Sequence, residues 1–190
     1  MSYSANTHTQ VGFSLAELLV SLGILGVIAA LAAPAFNDLM DSSARRSSLA
    51  SFTGSLQFAR GEAVGKQESV IICSSADGAT CAGNNNWDSG WVVFVDDDGN
   101  GAPNYGGGTC DINEDCLVKS QAALTGGVTL RSNANRVTFN ELGEMVGGAG
   151  TAFTLCEQDA DNANDTRRSN TLNITAAGTI LAQMGTVACP

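Results

Sequence analysis

The sequence predicts an α+β protein in which one long N-terminal helix packs, through its second half, on an antiparallel β-sheet. Two observations predict this class. Residues 13–36 form a nearly unbroken apolar run, after which an amphipathic stripe continues the helical period. Short β-rich runs then alternate with loops rich in Gly, Asn, Asp, Ser and Thr. The chain divides into a leader at 1–12, a transmembrane helical half at 13–36, an amphipathic half at 37–65 and a β-rich domain at 66–190.

The apolar run at 13–36 admits three explanations. A cleaved secretory signal needs a basic N-terminal region, but residues 1–12 contain no Lys or Arg, although residues 30–32 (Ala-Leu-Ala) are typical of a cleavage site. A buried core helix is usually shorter and amphipathic, whereas residues 18–33 are apolar on all sides except at Ser21. A membrane helix needs about 20 apolar residues, which this run supplies. Length and composition therefore favour a membrane anchor.

The second half of the helix is predicted from its periodicity. Pro34 lies inside the helical pattern, and because the apolar period resumes after it, we predict a kink there. Gly61 and Gly65 weaken helix formation, so we expect the helix to end near Gly65. The residues at offsets of three and four form a stripe that should pack on the globular domain. This stripe comprises Leu49, Phe52, Leu56, Ala59 and Ala63.

The remainder of the chain is predicted to form six or seven short strands. The strongest candidate is residues 90–95, which are aromatic and β-branched. Trp87 and Trp91 flank a glycine turn and are expected to bracket a core rather than stack on bases. The predicted strands are 69–73, 90–95, 127–130, 136–139, 152–156, 169–174 and 178–182.

Length and charge limit the function classes. The chain has 190 residues and a net charge of −10, which indicates one acidic domain with an appended segment. A surface this acidic repels phosphate backbones, which disfavours binding to nucleic acid. No catalytic set emerges, because the only histidine, His8, lies in the leader. The sequence predicts a protein that is not an enzyme.

All six cysteines follow the apolar run, as expected of a disulfide set formed in an oxidising compartment. Structural zinc is not supported, because C-x₂-C spacings and histidine ligands are both lacking. The sequence does not fix the connectivity, but the short spacings favour local pairs. We predict the pairs Cys73–Cys81, Cys110–Cys116 and Cys156–Cys189.

Two signals for membrane orientation conflict. The uncharged leader and the pair Arg45-Arg46 would place the C-terminal side in the cytoplasm by the positive-inside rule. The cysteines place the same side outside. We give the cysteines more weight, because six of them have no evident purpose in a reducing cytosol.

Residues 12–20, Gly-Phe-Ser-Leu-Ala-Glu-Leu-Leu-Val, resemble the class III signal of type IV pilins and type II secretion pseudopilins. The resemblance covers six or seven specified positions followed by a membrane-length helix. It implies that a prepilin peptidase cuts after Gly12 and N-methylates Phe13, the new N-terminus. The leader departs from the family pattern because it lacks basic residues.

Glu17 is the one carboxylate near the start of the apolar run. An ionised carboxylate in hydrocarbon is tolerated only when it is paired. Alternatively, Glu17 has no specific partner, and its side chain simply extends from the start of the helix to the lipid headgroups. The resemblance favours an assembly role, in which Glu17 pairs with the α-amino group of Phe13 on a neighbouring subunit and sets the axial register.

Residues 73–81 (Cys-Ser-Ser-Ala-Asp-Gly-Ala-Thr-Cys) and 87–96 (Trp-Asp-Ser-Gly-Trp-Val-Val-Phe-Val-Asp) resemble the GspH/FimT-type minor pilin domain. In that group a tryptophan, a glycine and an apolar strand ending in aspartate follow the helix. Within it the chain is most similar to FimU-like minor pilins, which prime the pilus and remain near its tip. The implied fold is the type IV pilin fold.

The resemblance also implies partners and location. The partners would be the prepilin peptidase, other minor pilins and the major pilin, with no cofactor. The chain would cross the bacterial inner membrane once, with its C-terminal domain periplasmic, and then enter the extracellular pilus. A GspH-type pseudopilin of type II secretion is an alternative. A FimT-like competence pilin that binds DNA is disfavoured. The tail at 176–183 has no Lys or Arg, and the pair Arg167-Arg168 alone supplies too little positive charge to bind DNA phosphates.

Asp96, Asp98 and Asn100 surround Gly99 in a pattern that suits calcium. The twelfth position of an EF-hand loop starting at Asp96 would be Gly107 rather than glutamate. A solvated turn after the strand is therefore favoured, and no metal site is predicted.

Overall fold

The computed structural model describes residues 14–105, 115–147, 150–157, 166–185, 187 and 189. The leader at 1–12, with Gly12, and also Phe13 and Cys110 lie outside these residues. The chain divides into two compact units, Met1–Leu39 and Met40–Pro190. Within the described residues, the first unit contributes helix alone, whereas the second contains two β-sheets and the hydrophobic core.

One helix, α1 (Leu15–Lys66), begins directly after Ser14. The Ser14 Oγ accepts a hydrogen bond from the backbone N–H of Glu17 (3.2 Å), so Ser14 caps the helix. The helix ends next to the predicted Gly65. Gln67 adopts a left-handed φ of 58°, and the N–H of Glu68 donates to the carbonyl of Ala63 (3.3 Å), which closes the helix end. The helix is continuous through position 34, whose side chain lies outside the description, so the kink at Pro34 stays a prediction.

The described residues contain eight strands, which form two four-stranded antiparallel sheets. The first sheet has the order β3-β2-β1-β5 and the second has the order β4-β6-β7-β8. A single 3₁₀ turn, Thr166–Arg168, precedes β7. The strands are β1 (Val70–Ser74), β2 (Gly90–Val95), β3 (Cys116–Ala122), β4 (Thr129–Ser132), β5 (Arg136–Phe139), β6 (Thr151–Cys156), β7 (Ser169–Ile174) and β8 (Ile180–Met184).

The predicted helical stripe packs on the domain. Four of its members, Phe52, Leu56, Ala59 and Ala63, are fully buried, and Leu49 packs partly buried against the same cluster. This cluster draws side chains from both sheets, so the second half of α1 is a component of the core. Burial of this stripe from water supplies the main force that holds the helix to the sheets.

Aromatic rings fill the centre of this core. The Phe52 ring lies 5.5 Å from Trp87, 5.0 Å from Trp91 and 4.7 Å from Phe153, in edge-to-face arrangements. Both tryptophans are fully buried, which confirms that they bracket a core. Gly90 is required between them: its φ is 115°, and a Cβ there would lie 2.5 Å from the carbonyl oxygen of Gln121.

The α+β class is confirmed, with two differences in detail. The prediction missed β3, because its sequence, Cys-Leu-Val-Lys-Ser-Gln-Ala, mixes polar residues into a half-exposed edge strand. The prediction also described one sheet. The chain instead crosses between sheets, since β4 pairs with β6 while β5 pairs with β1.

Disulfides fasten the second unit at two separate places. Cys73–Cys81 closes the loop that follows β1, and Cys156–Cys189 ties the C-terminus to the end of β6. Cys73–Cys81 is a pair predicted from its short spacing, and Cys156–Cys189 is the pair predicted from the two cysteines that remain. Cys116 is also disulfide-bonded, but its predicted partner, Cys110, lies outside the described residues.

Candidate assembly site

The first helical turns present an exposed apolar surface within the described part of the chain. Ten large apolar side chains between Leu15 and Leu31 are each more than half exposed. Burying one such side chain stabilises by about 1.5–3 kcal/mol, so leaving ten of them in water is costly. By length and composition this helix is able to cross a membrane. The surface requires either lipid or other apolar helices as its environment.

Glu17 lies in the first turn of this exposed helix and is itself exposed. Ser14 and Glu17 have the spacing of a capping box, and the negative charge lies at the positive end of the helix dipole. This local role was not part of the sequence prediction, although the Ser-x-x-Glu spacing signals it. Phe13 lies outside the described residues, so the pairing of Glu17 with a neighbouring α-amino group stays a prediction.

A buried ion pair fixes the start of the core half of α1. The Nε of Arg45 lies 3.0 Å from Oε1 of Glu157, and the two side chains are 5% and 8% exposed. The Nη1 of Arg45 also donates to the carbonyls of Arg167 (3.1 Å) and Ser169 (3.4 Å). Arg45 is therefore a structural part of the domain.

Most other described arginines also form ion pairs or hydrogen bonds within the domain. Their guanidinium groups contact carboxylates or backbone carbonyls, which leaves few cations free to neutralise phosphates. The contacts are Arg60 with the carbonyls of Gly143 and Ala177, Arg131 with Asp88, Arg136 with the carbonyl of Gly101, and Arg168 with Glu157.

Three carboxylates meet at the end of β2. Oxygens of Asp96, Asp98 and Asp115 lie within 4.8 Å of one another, so the structure adds Asp115 to the two aspartates that the sequence indicated. Burial raises the pKa of Asp115, and the charges of Asp98 and Asp96 raise it further, although backbone N–H groups of Asn104 and Asp97 oppose this.

Donors within the loop hydrogen-bond to these carboxylates. The N–H of Asp97 donates to Asp115 (3.1 Å), and the N–H of Gly101 donates to Asp96 (3.1 Å). The side chain of Asn100, the third suggested calcium ligand, hydrogen-bonds Asp98. Asp96 and Asp115 are buried in this turn, and the choice of a turn over a calcium site stays a prediction.

A second loop is organised around Asp77. Its carboxylate accepts hydrogen bonds from the Thr80 hydroxyl (2.5 Å), the backbone N–H groups of Thr80 (2.7 Å) and Ala79 (2.9 Å), and the Ser75 hydroxyl (3.0 Å). These donors hold the pKa of Asp77 well below its usual range. The loop lies inside the Cys73–Cys81 disulfide, so it is a structural element.

A groove of about 630 Å³ lies within the second unit, between the end of α1 and the start of β8. Gly61, Val64 and Gly65 line its helical side, and Thr179 and Ile180 line the other. A Cβ built on either glycine would have no atom within 4 Å, so the helix surface is open there. The polar side chains of Gln57 and Arg60 also line the groove, which is open to solvent on its helical side.

The fold that these elements define, a long N-terminal helix joined to antiparallel sheets, is the type IV pilin fold. The structure is similar to two crystal structures of the type IV minor pilin FimU of Pseudomonas aeruginosa. They superpose with TM-scores of 0.51 and 0.50 at 18% and 19% identity, over 78% of this chain and 91% and 96% of theirs. It is also similar to the minor pseudopilin EpsH of the type 2 secretion system of Vibrio cholerae, with a TM-score of 0.47 at 12% identity, over 73% of this chain and 95% of that chain.

The chain belongs to the GspH family, described as type II transport protein GspH, whose model matches residues 49–178. No curated protein sequence matches the chain. Membership places the chain in a family of structural type II transport proteins of the pilin and pseudopilin kind, and its fold is shared with the type IV minor pilin FimU. The GspH/FimT-type assignment made from the sequence is thereby confirmed.

Proposed function

We propose that this chain is a minor type IV pilin that helps to prime pilus assembly and stays in the pilus tip complex. The observation that carries the proposal is the exposed apolar helical segment at residues 15–31, which has Glu17 in its first turn and is followed by a folded domain. A prepilin peptidase removes residues 1–12, and the α-amino group of Phe13 on one subunit pairs with Glu17 on the next. The processed subunit then leaves the membrane and packs among the helices of other pilins.

The energetics of the helix support assembly. The same apolar side chains that are stable in lipid are stable against apolar helices, so transfer from membrane to fibre costs little hydrophobic free energy. Glu17 is the exception, because a carboxylate in either environment needs a partner. Pairing with an amine on the adjacent subunit would satisfy it in the fibre alone and thereby favour assembly.

The disulfides support a periplasmic domain. Disulfides form and persist in oxidising compartments, and the second unit contains Cys73–Cys81 and Cys156–Cys189. The proposed topology is a single inner-membrane span with residues 40–190 in the periplasm.

A type II secretion pseudopilin is the second candidate, favoured by the family match itself. The two roles share processing, anchoring and helix packing, and they differ in the subunits with which the chain assembles. A competence pilin that captures DNA is disfavoured by the net charge of −10 and by the internal contacts of the arginines.

Two measurements test the proposal. Co-expression of the full chain with a prepilin peptidase should yield a product that lacks residues 1–12 and carries one methyl group on Phe13, as read by mass spectrometry. Immobilised Met40–Pro190 should then retain the soluble domain of at least one minor pilin from the same cell. Retention of secretion pseudopilins alone would support the second candidate, and retention of neither group would contradict the assembly role.

A further inference from the structure

Three of the four sheet edges are protected from pairing with another strand. In the first sheet, β3 carries Lys119 and a register shift opposite Val93 and Phe94, and both charge and irregularity discourage pairing. At β5, the N–H of Val146 donates to the carbonyl of Thr138 (2.9 Å), so the following loop covers this edge.

In the second sheet, the edge strand β4 is covered by the segment before β2. The N–H of Trp87 donates to the carbonyl of Leu130 (2.9 Å), and the N–H of Ser132 donates to the carbonyl of Asn85 (3.3 Å). The opposite edge, β8, differs. Its sequence, Ile-Leu-Ala-Gln-Met, has no charge and no proline, and β7 is its only backbone partner within the described residues.

The register determines which groups of β8 are open. Hydrogen bonds flank the β7–β8 ladder at both ends, from the N–H of Thr175 to the carbonyl of Thr179 (2.9 Å) and from the N–H of Gly185 to the carbonyl of Ser169 (3.1 Å). Hydrogen-bonded and non-hydrogen-bonded pairs alternate along an antiparallel ladder. Every second residue of β8 between these two bonds therefore points its N–H and C=O toward β7.

By this alternation, Leu181 and Gln183 bond to β7, whereas Ile180, Ala182 and Met184 direct their N–H and C=O groups away from it. These outward groups form an unused hydrogen-bonding edge. Met184 is 65% exposed and Leu181 is 47% exposed, so the strand is also open on its faces. An extended backbone matches such an edge, as in β-strand addition.

The groove lies next to this edge. Ala182 is opposite the fully buried Leu172, so its side chain is on the core face of the sheet, yet Ala182 is exposed. The helix surface at Gly61 and Gly65 bounds the space beside the first residue of β8. A fifth strand paired with β8 would therefore place alternate side chains over the groove.

We infer that β8 and the groove form the docking edge for an extended strand of another pilin-family subunit. That strand adds to the sheet by backbone hydrogen bonds and packs its alternate side chains on Val64 and Ile180, the apolar residues of a groove that Gln57 and Arg60 also line. A second copy of this chain is a poorer occupant, because two subunits of charge −10 repel each other. The inference rests on the proposed assembly function and specifies the surface that this function uses.

The test uses Met40–Pro190, which contains both sheets and the whole core, and the soluble domain of each minor pilin and pseudopilin made by the same cell. Ala182→Pro removes an outward N–H without removing a bond to β7. The loss of that hydrogen bond, with displacement of the incoming strand, should weaken binding about tenfold and leave the melting temperature unchanged. Ala182→Lys should weaken binding comparably, whereas Leu181→Lys adds the same charge on the opposite face and should change affinity about twofold or less.

Amide hydrogen exchange gives an independent readout. In the free domain the N–H groups of Ala182 and Met184 should exchange rapidly, while those of Leu181 and Gln183 are slow. In the complex all four should be slow. If a subunit binds but Ala182→Pro binds equally well and Ala182 gains no protection, the docking edge is wrong and the assembly function stands. If no subunit binds, both are overturned.

Discussion

The two halves of α1 differ in the burial of their apolar side chains. Between Leu15 and Leu31 the apolar side chains are exposed on all sides, with exposed fractions of 56–76% among the large ones. Between Phe52 and Ala63 a single stripe is fully buried against the two sheets. The first half is uniformly apolar because its environment lies outside the chain, and the second is amphipathic because its environment is its own domain. One helix thus combines a segment for which we propose a role in intermolecular assembly with a segment that belongs to the core of the domain.

The largest expected effect on folding is at Phe52. Phe52→Ala removes a fully buried ring that contacts Trp87, Trp91 and Phe153, and should destabilise Met40–Pro190 by about 3–5 kcal/mol. Denaturant unfolding monitored by tryptophan fluorescence measures this. Phe58→Ala is the matched control, because Phe58 is on the same helix but 37% exposed, and it should cost about 1 kcal/mol or less. Equal losses of stability in the two variants would show that the helix does not pack on the sheets through the face that carries Phe52.

The next effect is at Arg45. Arg45→Met leaves Glu157 buried without its closest cation and should destabilise the domain by about 3 kcal/mol. The double variant Arg45→Met/Glu157→Leu should recover much of this loss, because no unpaired charge remains buried. Thermal unfolding checks both. Arg46→Met, at an exposed neighbouring position, should change stability by about 0.5 kcal/mol or less. A double variant no better than Arg45→Met would contradict the ion-pair account.

The smallest expected effect on stability comes from the ionisation of Tyr105. Burial raises the pKa of Tyr105 to about 12, and the charges of Asp115 and Asp77 add to this. Tyr105 is the only tyrosine of Met40–Pro190, so tyrosinate absorbance reports it alone. The absorbance should rise near pH 12 in the folded domain and near pH 10 in denaturant. Because the folded pKa is the higher one, this contribution to stability is complete below pH 10 and is lost as pH rises toward 12. Absorbance rising near pH 10 in the folded domain would place Tyr105 in solvent.

The sequence predicted features that depend on local pattern. The stripe at Phe52, Leu56, Ala59 and Ala63 follows the helical period, and the end near Gly65 follows from glycine chemistry. Residues 90–95 were identified as a strand because they are aromatic and β-branched. In these cases the local preference and the tertiary environment agree.

Features that depend on distant contacts were not predictable in this way. Arg45 and Glu157 lie far apart in the sequence and belong to no common periodic pattern, so their ion pair does not follow from the sequence. Strand β3 was missed because an edge strand tolerates polar residues such as Lys119. The open edge at β8 is invisible in sequence, because it depends on which strands pair and in which register.

The claim that the first half of α1 acts in assembly and the second half in folding is tested most directly by Glu17→Ala in the full chain. Assembly is measured as the fraction of processed chain recovered in sheared fibres, and folding as the melting temperature of the detergent-extracted chain. Because the substitution leaves the α-amino group of Phe13 on the neighbouring subunit without its carboxylate partner, incorporation into fibres should fall about a hundredfold. The melting temperature should not change, because Glu17 lies outside the unit that contains the core. Ser21→Ala, one turn further along the same helix, is the control and should incorporate normally. Normal incorporation of Glu17→Ala, or a lowered melting temperature, would contradict the account.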